Sequence, residues 1–116
     1  MATFNLTEAD LKKQIEDNDI LIIDFWASWC GPCRTFGPVF EAASVKHEDV
    51  AFAKVNTEEE RVIAGQFGIR SIPTLAAFKD GEMVFKQAGA LPPQSLDALI
   101  EQLRGLDMDE VRKSNA

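Results

Sequence analysis

The only two cysteines of the chain enclose a Gly-Pro pair in the sequence Trp29-Cys30-Gly31-Pro32-Cys33. In the first turn of a helix, residues i and i+3 share a face, so the two sulfurs can form a disulfide. Cys30 is predicted at the helix N-terminus, where unpaired N–H groups and the helix dipole stabilise a thiolate. We expect Cys30 to attack a disulfide and Cys33, predicted to be more buried, to resolve the mixed disulfide.

A near-continuous apolar run from Ile20 to Trp26 leads into the cysteines. Such a run predicts a strand covered on both faces, as in the parallel part of an α/β sheet. The dipeptide Asp80-Gly81 predicts a hairpin between two later strands. The predicted element order is α, β, α, β, α, β, β, α, and residues 2–5 could add an N-terminal strand.

Helix boundaries are predicted from capping signals. Thr7 with Asp10 resembles a capping box and predicts a helix over about residues 7–17, and Thr57 with Glu60 predicts the start of another helix in the same way.

His47, the only histidine, lies among charged residues and is predicted to be a solvated charge at the end of the cysteine-bearing helix. A zinc site would need two further ligands near the cysteines, and no spacing supplies them.

Composition bounds the class of protein. With 116 residues, 46% apolar and 27% charged, the chain is predicted to fold as one globular domain. A net charge of −7 without a run of Lys or Arg argues against nucleic acid and favours a monomer. No apolar stretch approaches a membrane span, and the first six residues do not resemble a signal peptide. We therefore predict a cytoplasmic protein, in which paired cysteines are more often catalytic or metal-binding than structural.

Several separate motifs over about residues 3–105 occur together: Asp24-Phe25-Trp26-Ala27, Trp29-Cys30-Gly31-Pro32-Cys33, Pro38, Lys54-Val55, Gly68-Ile69-Arg70-Ser71-Ile72-Pro73-Thr74, Phe78, Gly81 and Gly89-Ala90. In this combination the chain resembles the thioredoxins. The resemblance implies an α/β thioredoxin fold, a central mixed sheet flanked by helices on both faces, over residues 1–105, with residues 106–116 as a C-terminal extension. It also implies a protein disulfide reductase with no bound cofactor beyond the redox-active disulfide Cys30–Cys33. Its substrates would be disulfide-containing proteins, and an NADPH-dependent flavin reductase would recharge it.

Asp24 is the most informative residue outside the motif. An acid inside an apolar strand must be desolvated, at a cost of several kcal/mol unless it is paired or neutralised. One explanation is a structural ion pair with Lys54, predicted in the neighbouring strand. The resemblance implies another, in which Asp24 lies beneath the cysteines and exchanges a proton with Cys33 while Lys54 tunes it.

The sequence around Pro73 predicts only a turn or a strand edge. The resemblance implies a cis bond between Ile72 and Pro73 that faces the disulfide, with the backbone of Ile72 free to pair with an extended substrate. Trp26 is predicted to pack in the core. A flat surface of small and apolar residues would surround Cys30: Trp29, Gly31, Pro32, Ile72, Ala88, Gly89 and Ala90.

Two alternatives remain at the level of sequence. The same fold could act as an oxidant or isomerase, although Gly31 and Pro32 bring no histidine between the cysteines. A binding subunit could instead use the apolar surface around Cys30 without redox chemistry. The extension carries Leu106, Met108 and Val111 among acidic residues, and is predicted to be an extra helical turn, frayed or docked, or a partner contact.

Overall fold

A computed structural model describes residues 2–115, which form five strands and five helices. No helix within that range has both the length and the apolar character needed to cross a membrane. The N-terminal strand is present, the predicted order of the next eight elements is confirmed, and one helix is added at the end. In chain order the elements are β1 (Thr3–Asn5), α1 (Leu11–Asp17), β2 (Ile20–Trp26), α2 (Gly31–Lys46), β3 (Ala51–Asn56), α3 (Arg61–Gln66), β4 (Thr74–Lys79), β5 (Glu82–Ala88), α4 (Pro93–Arg104) and α5 (Met108–Asn115).

The strands form one mixed sheet in the order β1-β3-β2-β4-β5. β3 runs parallel to β1 and β2, whereas β4 is antiparallel to both β2 and β5. The edge strands are β1, with three residues, and β5, whose register with β4 shifts between Ala77 and Phe78. β2, the most apolar strand, therefore lies at the centre and is buried along almost its whole length.

Alternating residues of β2 supply two hydrophobic cores, one on each face of the sheet. Ile22 packs in a core with Phe36 and Phe40 of α2 and with residues of α4. Ile23 packs in the opposite core, to which α1 and α3 contribute. The period of two along a strand produces this division, and the predicted fold class, a mixed sheet with helices on both faces, is confirmed.

Both predicted capping boxes are wrong. α1 begins at Leu11 rather than near residue 7, and the Thr7 hydroxyl donates to the Asp10 carboxylate at 3.2 Å instead of capping the helix. α3 begins at Arg61, and the Thr57 hydroxyl donates to the carbonyl oxygen of Trp26 at 3.2 Å. These hydroxyls satisfy partners in the turns and in the neighbouring strand, which a local capping pattern does not reveal.

The prediction of a solvated His47 is also wrong, because the packing of α2 against α4 buries the imidazole to 7% exposure. Its Nε2 lies 2.8 Å from the Asp97 carboxylate, and the Arg104 guanidinium lies 3.0 Å from Nδ1. A guanidinium only donates, so Nδ1 accepts from Arg104 and Nε2 donates to Asp97. The histidine thus joins two residues of α4 to the end of α2.

His47→Ala is expected to lower the free energy of unfolding by about 1–3 kcal/mol, since it removes buried packing and takes one hydrogen bond each from Arg104 and Asp97. Urea unfolding of the oxidised protein measures the loss. Glu48→Ala, at an exposed neighbouring position, serves as the control and should change stability by less than about 0.5 kcal/mol. Equal stability of the two variants would show that the His47 contacts do not stabilise the fold.

The chain after α4 is tied to the sheet by Lys79, the last residue of β4. Its Nζ donates to the carbonyl oxygens of Leu103 at 2.6 Å, Arg104 at 2.9 Å and Leu106 at 3.1 Å. A lysine at this position satisfies carbonyls that a helix C-terminus leaves without partners. Leu106 packs against the core and Met108 is buried, so α5 starts from a docked position.

Candidate active site

Cys30 and Cys33 are joined by a disulfide, with their Cα atoms 5.2 Å apart. Cys30 is the N-cap of α2, as predicted, and its Sγ accepts the backbone N–H of Cys33 at 3.2 Å. The prediction that Cys33 is the more buried cysteine is wrong, because the exposures are 3% for Cys30 and 5% for Cys33. In the disulfide both sulfurs are covered, so position in the helix, rather than burial, distinguishes the two.

α2 is well suited to receive a thiolate at Cys30. It is 16 residues long, and Pro32 occupies its first turn, where the missing N–H breaks no helical hydrogen bond. The helix dipole and the Cys33 N–H both favour a negative charge on the Cys30 sulfur once the disulfide is reduced. The helix runs on through Pro38 to Lys46.

The loop before β4 lies against the disulfide. The Ile72–Pro73 peptide bond is cis, as the resemblance implied, and the carbonyl oxygen of Ile72 lies 3.7 Å from Cys30 Sγ. The carbonyl oxygen of Pro73 accepts the N–H of Gly89 at 2.8 Å. Gly89 has a φ of +104°, a conformation that favours glycine, so this residue type permits the contact.

The surface around the cysteines is exposed and contains an aromatic side chain. Trp29 is 66% exposed, while Gly31, Pro32 and Gly89 are also exposed and Ile72 is half-buried. Of the predicted surface, Trp29, Gly31 and Pro32 adjoin the cysteines in the chain, the carbonyl of Ile72 lies against Cys30, and Gly89 is hydrogen-bonded to Pro73.

Asp24 lies in the middle of β2 and is 1% exposed. Its neighbours in the sheet are Lys54 on β3 and Leu75 on β4, and alternation places it on the face that α2 covers. Among the residues described, neither carboxylate oxygen has a hydrogen-bond partner. Burial raises the pKa of Asp24 to about 7, although the charge of Lys54 partly opposes this rise. The side chain can therefore take up or release a proton near neutral pH.

Lys54 does not form the direct ion pair that the sequence offered as one explanation of Asp24. Within residues 2–115, no Lys54 nitrogen lies within 4.0 Å of a carboxylate oxygen. Its Nζ instead lies 5.0 Å from the ring centroid of Trp26, in a cation–π contact. Among the residues described, Asp24 is thus held in the strand without a hydrogen bond or a direct ion pair.

Trp26 was predicted to pack in the core, but it is only half-buried, and its Nε1 has no partner among the residues described. With Lys54 it lines a cavity of about 370 Å³, which Asn56, Glu59 and Glu60 also border. Sequence reasoning missed this cavity. The available signal was the alternation along β2, which puts Trp26 on the same face as Asp24.

A cysteine pair at the start of a helix, placed after the central strand of a mixed sheet, defines a thiol–disulfide oxidoreductase. The family model for thioredoxin matches residues 2–102, and the chain belongs to the thioredoxin family.

Relatives and solved structures agree with this assignment. A Streptomyces coelicolor protein assigned as thioredoxin 2 is 49% identical over 115 residues, covering 99% of this chain and 86% of that protein. A thioredoxin of Porphyra purpurea is 40% identical, covering 88% of this chain and 97% of that protein. The structure of a mutant thioredoxin from Halobacterium salinarum is 35% identical with a TM-score of 0.83, covering 90% of this chain and 93% of that chain.

The protein is therefore a protein disulfide oxidoreductase that works by thiol–disulfide exchange. Its redox-active group is the Cys30–Cys33 pair itself. Its substrates are disulfide-containing proteins, and a reductase partner recharges it. Within residues 2–115, no group of three or more His, Cys, Asp or Glu side chains is arranged to hold a metal ion.

Proposed function

We propose that this protein is a monomeric, general electron donor of the cytoplasm, recharged by an NADPH-dependent flavin thioredoxin reductase. The observation that carries the proposal is the sparse environment of the Cys30 sulfur. Its single hydrogen-bond donor within residues 2–115 is the Cys33 N–H, and Gly31 and Pro32 add no charge. Each further group that stabilised the thiolate would make the pair more oxidising, so a site with few of them favours a reductant.

The proposed reaction has two exchange steps. The Cys30 thiolate attacks one sulfur of the substrate disulfide, which forms a mixed disulfide and releases the other substrate sulfur as a thiolate. Cys33 then loses its proton and attacks Cys30 Sγ, and the second substrate sulfur leaves. Two electrons pass to the substrate, two protons complete its thiols, and the Cys30–Cys33 disulfide remains.

Asp24 is proposed to accept the proton of Cys33, directly or through water, during the second step. Its pKa of about 7 and its place on the face covered by α2 support this role. Lys54 is proposed to tune Asp24, because its charge opposes the rise in that pKa. A base with a pKa near the working pH transfers protons most effectively.

The segments that border Cys30 are proposed to bind the substrate. The Ile72 carbonyl, 3.7 Å from Cys30 Sγ, could pair with an extended substrate backbone as in strand addition. Trp29 would provide the aromatic contact, and the absence of side-chain bulk at Gly31 and Gly89 would allow close approach. Pro32, in the first turn of α2, and Pro73, in the loop before β4, would keep the two bordering segments rigid.

The domain is proposed to end near residue 105, with residues 106–116 as an extension. The family model ends at residue 102, close to this boundary. The S. coelicolor relative matches 99% of the chain and so includes most of the extension, whereas the P. purpurea thioredoxin covers 88%. One relative therefore matches most of the proposed extension.

The test is the reduction potential of the Cys30–Cys33 couple, measured by equilibrating the protein with a buffered dithiol pair. A value near or below about −250 mV supports a cytoplasmic electron donor. A value above about −200 mV would indicate an oxidant or isomerase and contradict the proposed direction of electron flow. Reduction by NADPH and a thioredoxin reductase, followed by absorbance, tests the proposed partner in the same preparation.

A further inference from the structure

The positive charges of this protein are of two kinds. Within residues 2–115, six of the 12 Lys and Arg side chains have a carboxylate oxygen within 4.0 Å. These paired cations are Lys12, Lys13, Lys46, Arg104, Arg112 and Lys113. Among the others, Arg34 follows the cysteines directly, and Arg70 and Lys86 lie beside the loop that contacts Cys30. Cations without an acidic partner thus border the redox site.

Arg70 and Lys86 line one groove of about 340 Å³. Both side chains are exposed, and no Asp or Glu is among the residues that line the groove. Lys86 donates to the carbonyl oxygen of Phe67, which holds its ammonium beside the groove wall at Gly68. The groove therefore has two cations and no anion in a protein of net charge −7.

The groove lies close to the place where the substrate disulfide must lie, because Ser71 and Thr74 in its wall flank the Ile72–Pro73 bond. Arg70 is two residues before Ile72, whose carbonyl lies 3.7 Å from Cys30 Sγ. Two residues of extended chain span at most about 7 Å. A substrate segment that pairs with Ile72 would therefore present to Arg70 a side chain about two residues from the cysteine under attack.

Charge complementarity then selects among substrate segments. The net charge of −7 on this protein repels an acidic substrate segment, except where nearby cations make the local potential positive. Charges at the rim of an interface act chiefly on the association rate and on salt dependence. A groove with two unpaired cations beside the reactive disulfide is thus suited to an acidic side chain.

We propose that this groove receives an Asp or Glu side chain of the substrate, about two residues from the attacked cysteine, between Arg70 and Lys86. The inference rests on the proposed reductant function and adds to it a preference for disulfides in acidic sequence. Arg70 and Lys86 are specificity-determining residues here and take no part in the sulfur chemistry.

The test uses three peptides with the same disulfide loop, in which the residues two positions before and two positions after one cysteine are both Glu, both Gln or both Lys. Their reduction by the protein, with dithiothreitol as recycling reductant, gives kcat/KM for each peptide. At low salt the Glu peptide is expected to exceed the Lys peptide by about three- to tenfold. In 0.5 M NaCl the ratio should fall toward one, because salt screens exposed charges.

Two double variants test whether Arg70 and Lys86 cause the preference for the Glu peptide. The double substitution Arg70→Gln, Lys86→Gln should bring the Glu-to-Lys ratio close to one. Lys12→Gln, Lys113→Gln removes the same two charges from α1 and α5 and should leave the ratio unchanged. Circular dichroism and the unfolding midpoint check that each variant is folded, and the salt series on the unmodified protein needs no variant.

The outcomes separate this proposal from the proposed function. Equal rates for the three peptides, or a faster Lys peptide, would overturn the acidic preference while leaving the reductant function intact. A ratio that survives the Arg70 and Lys86 substitutions would likewise remove the groove from the explanation. If none of the peptides, including the neutral one, were reduced, the reductant function itself would fail and the substrate preference with it.

Discussion

Cys33→Ser is expected to trap the substrate, because Cys30 can still attack a disulfide but no thiol remains to resolve the product. Incubation with a disulfide-containing protein should give a species whose mass is the sum of the two chains, and a reductant should separate it. Turnover should fall by about a thousandfold or more, since the two cysteines act as a unit. Intact-mass spectrometry and a non-reducing gel measure the adduct.

The matched variant is Cys30→Ser, which should form no adduct. Thr35→Ala, at an exposed position on α2, is the control for handling and should turn over normally. An adduct through Cys33 in the Cys30→Ser protein, in yield equal to that of Cys33→Ser, would mean that the order of attack is reversed. This test carries particular weight because burial does not distinguish the two sulfurs.

Removing the carboxylate of Asp24 is expected to stabilise the protein at alkaline pH. Its pKa rises from 3.8 to about 7 on folding, so the folded state binds the proton more tightly than the unfolded state. The contribution of Asp24 to stability is therefore greatest below pH 3.8 and is lost as the pH rises through about 7. The total loss is about 4 kcal/mol, of which about 3 kcal/mol develops between pH 5 and pH 9.

At pH 9 the free energy of unfolding of Asp24→Ala should consequently exceed that of the unmodified protein by about 3 kcal/mol, after allowance for the cavity that the substitution leaves. The variant should therefore unfold at a higher urea concentration. At pH 5 the difference should shrink below about 1 kcal/mol. Urea unfolding of the oxidised proteins at both pH values measures this. Glu58→Ala, which removes an exposed carboxylate, should show no such gain, and a pH-independent difference for Asp24→Ala would refute the buried-charge explanation.

The same residue links stability to activity. If Asp24 accepts the proton of Cys33, Asp24→Asn should slow resolution of the mixed disulfide and flatten its pH dependence around pH 7. A disulfide reduction rate with an unchanged pH profile would remove Asp24 from the proton transfer. A strand that keeps a destabilising carboxylate is consistent with selection for activity at the expense of stability.

The sequence predicted those parts of the fold that depend on local patterns. The apolar run of β2 and the Asp80-Gly81 turn specify their elements through side-chain period and turn conformation alone. The starts of α1 and α3 were predicted wrongly because Thr7 and Thr57 find other acceptors. A hydroxyl chooses among all nearby acceptors, and the sequence shows only those close in the chain.

The sequence likewise predicted those parts of the site that depend on residues close in the chain. The place of Cys30 at the N-cap followed from its position before the helix, whereas the burial of His47 depends on Asp97 and Arg104, about 50 residues away. The contact between Lys54 and Trp26 joins two strands and replaces the predicted ion pair. Pairs that are distant in the chain become contacts only through packing, and no local periodicity encodes them.

The two edge strands of the sheet affect the tendency of this protein to aggregate with other chains. β1 offers only three residues of backbone at one edge, and β5 at the other carries Glu82 and Lys86 and has an irregular register. Short, charged and irregular edges resist the addition of further strands and hence aggregation. If the loop of Ile72 binds a partially unfolded partner, as proposed, these edges would keep that partner from extending the sheet into a growing assembly.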